Sequence, residues 1–226
     1  MIIFSVGGSL INPGKPDEKF LKGLSKLLIR IHSKKGVAIV TGGGAPARTY
    51  ANAIRSLGGP ESASDSAAIL STRQNALLLI TALGKHAWPS VPTSFEEASC
   101  GVASGRIVVM GGTIPAITTD TDAAILAELL GAERIVNVSN VDGIYTGDPK
   151  RDHKAKKLDK LKFSQLISIA MQGDRRIAGE NFVFDLFACK IIARSKIETH
   201  FVGSKSEDIE HAALGKHHSG TVVKVD

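Results

Sequence analysis

Three stretches of this chain place paired or tripled glycines directly after short apolar runs: "FSVGGSL" at 4 to 10, "IVTGGGAPAR" at 39 to 48 and "VVMGGT" at 108 to 113. A strand that ends in glycines and runs into a helix offers unpaired backbone N–H groups at the positive end of that helix, where a phosphate binds well. The glycines leave room for close approach of an anion. Pro46 suits a first helical turn, because its missing N–H would have had no partner there. Arg48 can add a planar fork that matches phosphate oxygens. One such loop by itself is as readily an ordinary tight turn with a surface arginine. Three at strand ends are a stronger signal, because they would share the sheet edge where open α/β sheets bind ligands. None has the spaced glycines of the dinucleotide fingerprint or the GxxxxGK[ST] pattern, which argues against a Rossmann dehydrogenase and a P-loop enzyme.

A fourth stretch, "TTDTDAA" at 118 to 124, opens a helix with hydroxyls and carboxylates. It serves either as a capping cluster or as a phosphate site, in which Asp120 orients cationic groups or Mg²⁺ at a transferring phosphoryl group. Its position just after "GGTIPAI" favours the second.

Elements that alternate must position these residues. "MIIFSV" and "GVAIVT" read as strands around the amphipathic helix "DEKFLKGLSKLLIRIHSK", in which Phe20, Leu24, Leu27, Leu28 and Ile31 share a face. Apolar runs of about five residues between helices indicate parallel strands covered on both sides. A helix is expected from about Ala45 to Leu57 and a long one over 65 to 83, with Asp65 near its N-terminus, ended by the prolines of "WPSVPTS". A short helix "SFEEASCGVA", a strand "GRIVVMGG", a helix "TDAAILAELLG" and a strand "AERIVNVSN" follow. "VDGIYTGDP" signals a tight turn or hairpin. Helices near 163 to 172, 185 to 195 and 206 to 213 then alternate with the strands "ETHFVG" and "GTVVKV". The pattern is α/β, a single domain over 1 to 226 without a linker, with two lobes sharing one sheet.

At 226 residues, 43% hydrophobic and 22% charged, the chain can bury a full core and resembles a soluble globular protein. No run nears the roughly 20 apolar residues of a membrane helix, and the N-terminus carries no leader pattern, so a cytoplasmic protein without a membrane partner is expected. Cys100 and Cys189 lack metal-ligand spacing and read as buried small residues. The net charge of +6 draws much of its excess from "KRDHKAKKLDKLK" at 150 to 162, which has no interleaved aromatics. A solvated face or loop, rather than a nucleic-acid surface, is the expectation there.

Taken together, "GGS", "GGGAPAR", "DSAAILSTRQNA", "VMGGTIPAITTDTDAA", "NVSNVDGIYTGDP" and "FDLFACKIIARS" resemble the amino acid kinase superfamily, and within it the archaeal-type uridylate (UMP) kinases. The resemblance runs from the first strand to the closing "HHSGTVV". It implies a three-layer αβα sandwich around a mostly parallel central sheet, a homohexamer, and transfer of the γ-phosphoryl group of Mg-ATP to UMP, giving UDP. It also implies an acceptor-binding lobe over about 1 to 130 and an ATP-binding lobe over about 131 to 226.

By that likeness Gly43 meets the UMP phosphate, Asp65 holds the ribose hydroxyls, and Thr113, Ile114, Pro115, Ala116, Ile117, Thr118 and Thr119 wrap the uridine and its phosphate. Gly8 and Ser9 cradle the ATP phosphates, while Gly44 and Arg48 face them or the transferring group. Ser139, Asn140, Tyr145 and Asp148 form the adenosine side, with Tyr145 against the adenine. Asp120 and Arg48 are the catalytic candidates, and no protein-built metal site is expected. The residue types agree, since a carboxylate can accept two ribose hydroxyls and a tyrosine offers a flat apolar face with a polar tip.

The chain departs from the pattern at four places. Ser5 and Phe182 stand where many members carry lysine, which leaves Arg48, Lys15, Lys190 and Mg²⁺ as candidates for the missing charge. "PAI" at 115 to 117 replaces the usual "PGH", and Ala68 replaces a glycine. These last two changes bear on the acceptor. Alternatives are a small-phosphate kinase like isopentenyl phosphate kinase, which typically has a histidine and a lysine where this chain has Thr41 and Ser5, and a non-catalytic nucleotide or oxyanion store like the molybdenum storage proteins. The absent lysines motivate the store, and Asp120, Tyr145 and Asp148 weigh against it.

Overall fold

The computed structural model describes residues 1 to 147, 154 to 173 and 184 to 225. Asp148 and Phe182 lie outside the described residues. The chain begins with β1 (Ile2–Val6), α1 (Gly8–Ile11), α2 (Glu18–His32), β2 (Val37–Thr41), α3 (Gly44–Ser56) and α4 (Glu61–Leu83). It continues through α5 (Phe95–Ala103), β3 (Val108–Met110), α6 (Thr119–Leu129), β4 (Arg134–Val138), β5 (Ile144–Tyr145), β6 (Lys157–Leu158) and β7 (Lys160–Leu161). The last elements are α7 (Phe163–Gly173), α8 (Leu186–Ser195), β8 (Glu198–Val202), α9 (Ser206–Ala213) and β9 (Thr221–Val223).

The central sheet runs β3-β2-β1-β4-β8-β9-β7, and only β8 with β9 pairs antiparallel among its described strands. The chain builds outward from β1 through β2 to β3 and then returns to β1's other side as β4. This reversal is a topological switch point, where crevices form at the carboxyl ends of the strands. The expected turn after β4 is a small hairpin, in which Ile144 and Tyr145 pair with Leu158 and Lys157.

The period-2 alternation of strand side chains explains which faces are apolar. Ile2, Phe4 and Val6 join Val37, Ile39, Val109, Val136 and Val138 in a core covered by α2, α4 and α9. Ile3, Ala38, Val40, Val108, Met110 and Ile135 pack on the other side against α5, α6, α7 and α8. The three-layer αβα sandwich expected from the sequence is therefore present. Parity also places three polar residues: Ser5 and Asn137, which are register partners, fall on the α6 face, and Thr41 falls on the α4 face.

The glycines after β1 and β2 have a structural reason beyond room for a ligand. A Cβ on Gly8 would stand 2.1 Å from the Gly44 nitrogen and 2.4 Å from the Gly42 carbonyl carbon. Gly44 also adopts φ +70, a conformation that L side chains rarely take. Parallel neighbours lie only about 4.8 Å apart, so loops leaving them in the same direction collide unless side chains are absent.

Three sequence expectations are corrected. The long helix starts at Glu61, so Asp65 lies past its first turn and Glu61 is the acid there. That helix ends at Gly84 (φ +57), before the prolines are reached. Cys189 is buried as expected, but Cys100 is exposed on α5.

Gly8→Ala should destabilise the protein by about 3 kcal/mol, because the methyl group meets backbone that cannot step aside. Chemical denaturation checks this, with Gly14→Ala as the control at a site with open space, although its own φ of +155 adds some strain.

Candidate active site

The amides of Gly43 and Gly44 find no acceptor among the described residues, whereas the next amide, Ala45, donates to the Asn12 carbonyl (3.0 Å). The start of α3, its positive end, therefore keeps two donors with no acceptor among the described residues. Arg48, one helical turn further on, is exposed and makes no hydrogen bond or ion pair with the described residues. Gly43 faces α4: a Cβ there would meet Ala47, the Ala68 carbonyl and Thr72.

The middle of α4 ties the glycine loops together. Asn75 donates to the Gly42 carbonyl (2.8 Å), and the Gly112 amide donates to the Thr72 hydroxyl (2.7 Å). Thr41 donates to the Thr72 carbonyl (3.0 Å), and Arg73 donates to the carbonyls of Gly112 and Thr113 (both 3.1 Å). Sequence reading missed Thr72, Arg73 and Asn75. The available signal was "STRQN" at 71 to 75, a polar run in the middle of a long helix in which Ser71, Thr72 and Asn75 are buried.

The stretch from Thr113 to Thr119 is held at three points. Asp122, fully buried, accepts from the Thr113 hydroxyl (2.6 Å) and amide (3.2 Å). Asp65 accepts from the Ala116 amide (2.9 Å), which brings two predicted site residues together and leaves its Oδ1 without a hydrogen-bond partner among the described residues. Ala116 itself sits at φ +73, so the alanine in "PAI" occupies a conformation suited to glycine. The third point is Thr118, whose hydroxyl accepts the Thr121 amide (3.1 Å) as the cap of α6 and donates to Asp185. The Thr119 hydroxyl has no partner among the described residues.

Asp120 lies beneath this stretch and beside β1. Ser5 Oγ (2.7 Å) and Asn137 Nδ2 (2.9 Å) both donate to its Oδ1, while Oδ2 has no hydrogen bond among the described residues. No cation pairs with it among the described residues. Burial pushes its carboxyl up to about 7, aided by the nearby Asp185 charge, against the Ser5 and Asn137 hydrogen bonds that favour the ionised form. Asp122 is likewise pushed up to about 6 by burial, against the Thr113 bonds.

On the other side of β1, Gly7 packs on Ser139, and its amide donates to the Val138 carbonyl (2.8 Å). Ser139 and Asn140 line a cavity of about 170 Å³ with Asp142, Gly203, Ser204, Lys205, Asp208 and Ser219. Asp142 accepts from the Tyr145 hydroxyl (2.7 Å) and from Lys157 (3.0 Å), which fixes the tyrosine beside this cleft. The residues from Gly203 onward were not read from the sequence, because they follow a strand without paired glycines. Gly8 and Ser9 lie between this cleft and the α3 start, so most predicted residues gather along one sheet edge. Lys15 and Lys190 are exposed and have no described partner.

The model of the amino acid kinase family matches residues 1 to 203. The chain is 43% identical to the uridylate kinase of Thermococcus onnurineus over 223 residues, 99% of both chains. It is 42% identical to that of Methanocaldococcus jannaschii over 95% of both. The crystal structure of uridylate kinase from Archaeoglobus fulgidus superposes with a TM-score of 0.88 at 40% identity, covering 98% of this chain and 99% of that one.

The raised Asp120 value has a sign that can be tested. The folded state holds a proton up to about pH 7, whereas an unfolded aspartate loses it near pH 4. This group therefore destabilises the fold increasingly as pH rises through that window. Asp120→Asn keeps an acceptor for Ser5 and Asn137 and should raise Tm by several degrees at pH 8. The gain should shrink toward zero by pH 4 in the same thermal scans.

Proposed function

The chain belongs to the amino acid kinase family, and from that membership and this site we propose that it is a uridylate kinase, transferring the γ-phosphoryl group of Mg-ATP to UMP to give UDP and ADP. The observation that carries the reading is the backbone contact between the glycine loops after β1 and β2. It sets two phosphate sites side by side, as a donor and an acceptor that exchange one phosphoryl group require. The names of the full-length relatives support the same substrate pair. The isopentenyl phosphate kinase and storage readings gain no comparable support.

In this reading the acceptor side draws on residues up to about 130 and the adenosine side on later ones. The UMP phosphate meets the Gly43 amide and the Thr119 hydroxyl, the hydroxyl left free once Thr118 is engaged. Asp65 accepts ribose hydroxyls through its free Oδ1, and the stretch from Thr113 to Ile117 encloses the base. Gly8, Ser9 and Gly44 face the ATP phosphates, and the cleft lined by Ser139 and Asn140 takes the adenosine, with Tyr145 at its side.

A UMP phosphate oxygen attacks the γ-phosphorus in line, and the bond to the β,γ-bridging oxygen breaks as ADP leaves. The transition state is loose, so positioning and charge stabilisation supply most of the rate. Arg48 is the guanidinium available for that charge. Among the described residues no group of three or more His, Cys, Asp or Glu could hold a metal alone. Mg²⁺ would arrive on ATP, and Asp120 would offer it one carboxylate oxygen, its Oδ2. The ion would neutralise charge on the phosphates.

A coupled ADP-release assay with Mg-ATP and UMP, CMP, dUMP or isopentenyl phosphate should show strong preference for UMP. Preference for another acceptor would keep the kinase and reassign its substrate. ATP binding without turnover on any acceptor would overturn the kinase reading. Arg48→Ala should lower kcat by about 100-fold with a smaller change in KM, as for loss of one transition-state charge contact. A change confined to KM would place Arg48 in ground-state binding instead.

A further inference from the structure

Asp185, the residue before α8, carries more hydrogen bonds than a helix cap needs. Its Oδ1 accepts from the amides of Phe187 (2.8 Å) and Ala188 (3.1 Å), which is the ordinary cap. The carboxylate also accepts the Thr118 hydroxyl on Oδ2 and the Thr121 hydroxyl on both oxygens (3.0 and 2.9 Å). Both threonines belong to the start of α6, 64 and 67 positions away in sequence. Phe184, its neighbour, is fully buried and meets Phe201 of β8 edge to face at 5.3 Å, so Asp185 stands on an anchored backbone.

We propose that Asp185 is a positioning residue for the acceptor side: by holding the Thr118 and Thr121 hydroxyls it locks the start of α6 against α8 and presents the free Thr119 hydroxyl to the acceptor phosphate. The proposal rests on the uridylate kinase reading only for the identity of that acceptor. Thr118 connects the lock to the stretch from Thr113 to Thr119, because its hydroxyl both caps α6 and donates to Asp185. Without the lock, that stretch must be ordered by the incoming nucleotide, which weakens acceptor binding and leaves ATP binding alone.

Asp185→Asn separates the two roles of the side chain. Asparagine is as good a cap as aspartate, so its oxygen can keep the Phe187 and Ala188 amides. Its NH₂ group then stands where Oδ2 stood, so Thr118 loses its acceptor, Thr121 keeps only Oδ1, and the negative charge shared by both hydroxyls is gone. Steady-state kinetics of this variant should show KM for UMP raised about tenfold, with KM for ATP within about twofold and an unchanged Tm, as expected for loss of one charge-assisted interaction. Thr121→Val removes one of the hydroxyls without changing shape, and the double variant should be no worse than Asp185→Asn alone. Equal rises in both KM values, a lowered Tm with unchanged KM values, or additive effects in the double variant would overturn the proposal.

Hydrogen exchange on the ligand-free protein tests the lock apart from catalysis. Asp185→Asn should speed exchange across residues 113 to 122 and leave the α8 amides protected; unchanged exchange at 113 to 122 would also overturn it. A wild-type protein that does not turn over UMP would sink the functional reading, while this exchange measurement would still decide the lock.

Discussion

The backbone contact between Gly8 and the Gly42–Gly44 turn is the constraint from which the rest of the site follows. Two adjacent parallel strands send their chains out of the sheet in the same direction, and here those chains touch. The contact is possible only without Cβ atoms, and Gly44's positive φ turns the second loop back across the first. From it follow the entry directions of α1 and α3. The starts of these two helices would otherwise stand farther apart, by the width of a side chain or more.

Such a contact contributes little attraction of its own, so something must hold the loops down. The middle of α4 does this from one face of the sheet. Buried Thr72 and Asn75, together with Arg73, satisfy carbonyls and amides of the second and third glycine loops, which would otherwise be costly orphans. A satisfied buried polar network is stiff, because each displaced partner leaves an unpaired group behind. The same helix carries Asp65 to the Ala116 amide, so one rigid element sets both the glycine loops and the stretch opposite them.

Much of this architecture was legible in the sequence. Runs such as "GVAIV" and the 3.6-residue apolar spacing of α2 reflect local burial, and the glycine strand ends reflect a local backbone need. What escaped depends on partners distant in sequence. Nothing near Asp65 points to Ala116, 51 positions on, and nothing near Asp185 points to Thr118. Periodicity tells that Thr72 and Asn75 face inward, yet not that they meet glycine loops there. The start of α4 was misplaced for a related reason: "PESAS" reads as loop by composition, but Pro60 precedes a helix whose first turn packs through buried Ser64 onto α3.

Ser5 shows how far one substitution can reshape the electrostatics. A lysine at this place would pair with Asp120 and keep it ionised, whereas a serine and the register-paired Asn137 offer only neutral hydrogen bonds. Those bonds do not offset burial, so the carboxyl is pushed up to about 7. Phosphates brought close to it add negative charge and drive it further toward the neutral acid, while a divalent cation on those phosphates acts in the opposite direction. The protonation of Asp120 thus becomes coupled to what occupies the site, which a fixed ion pair would prevent. Without a permanent positive charge at β1, the exposed Arg48 and a cation accompanying the nucleotide are the sources of charge on which the proposed reaction would draw.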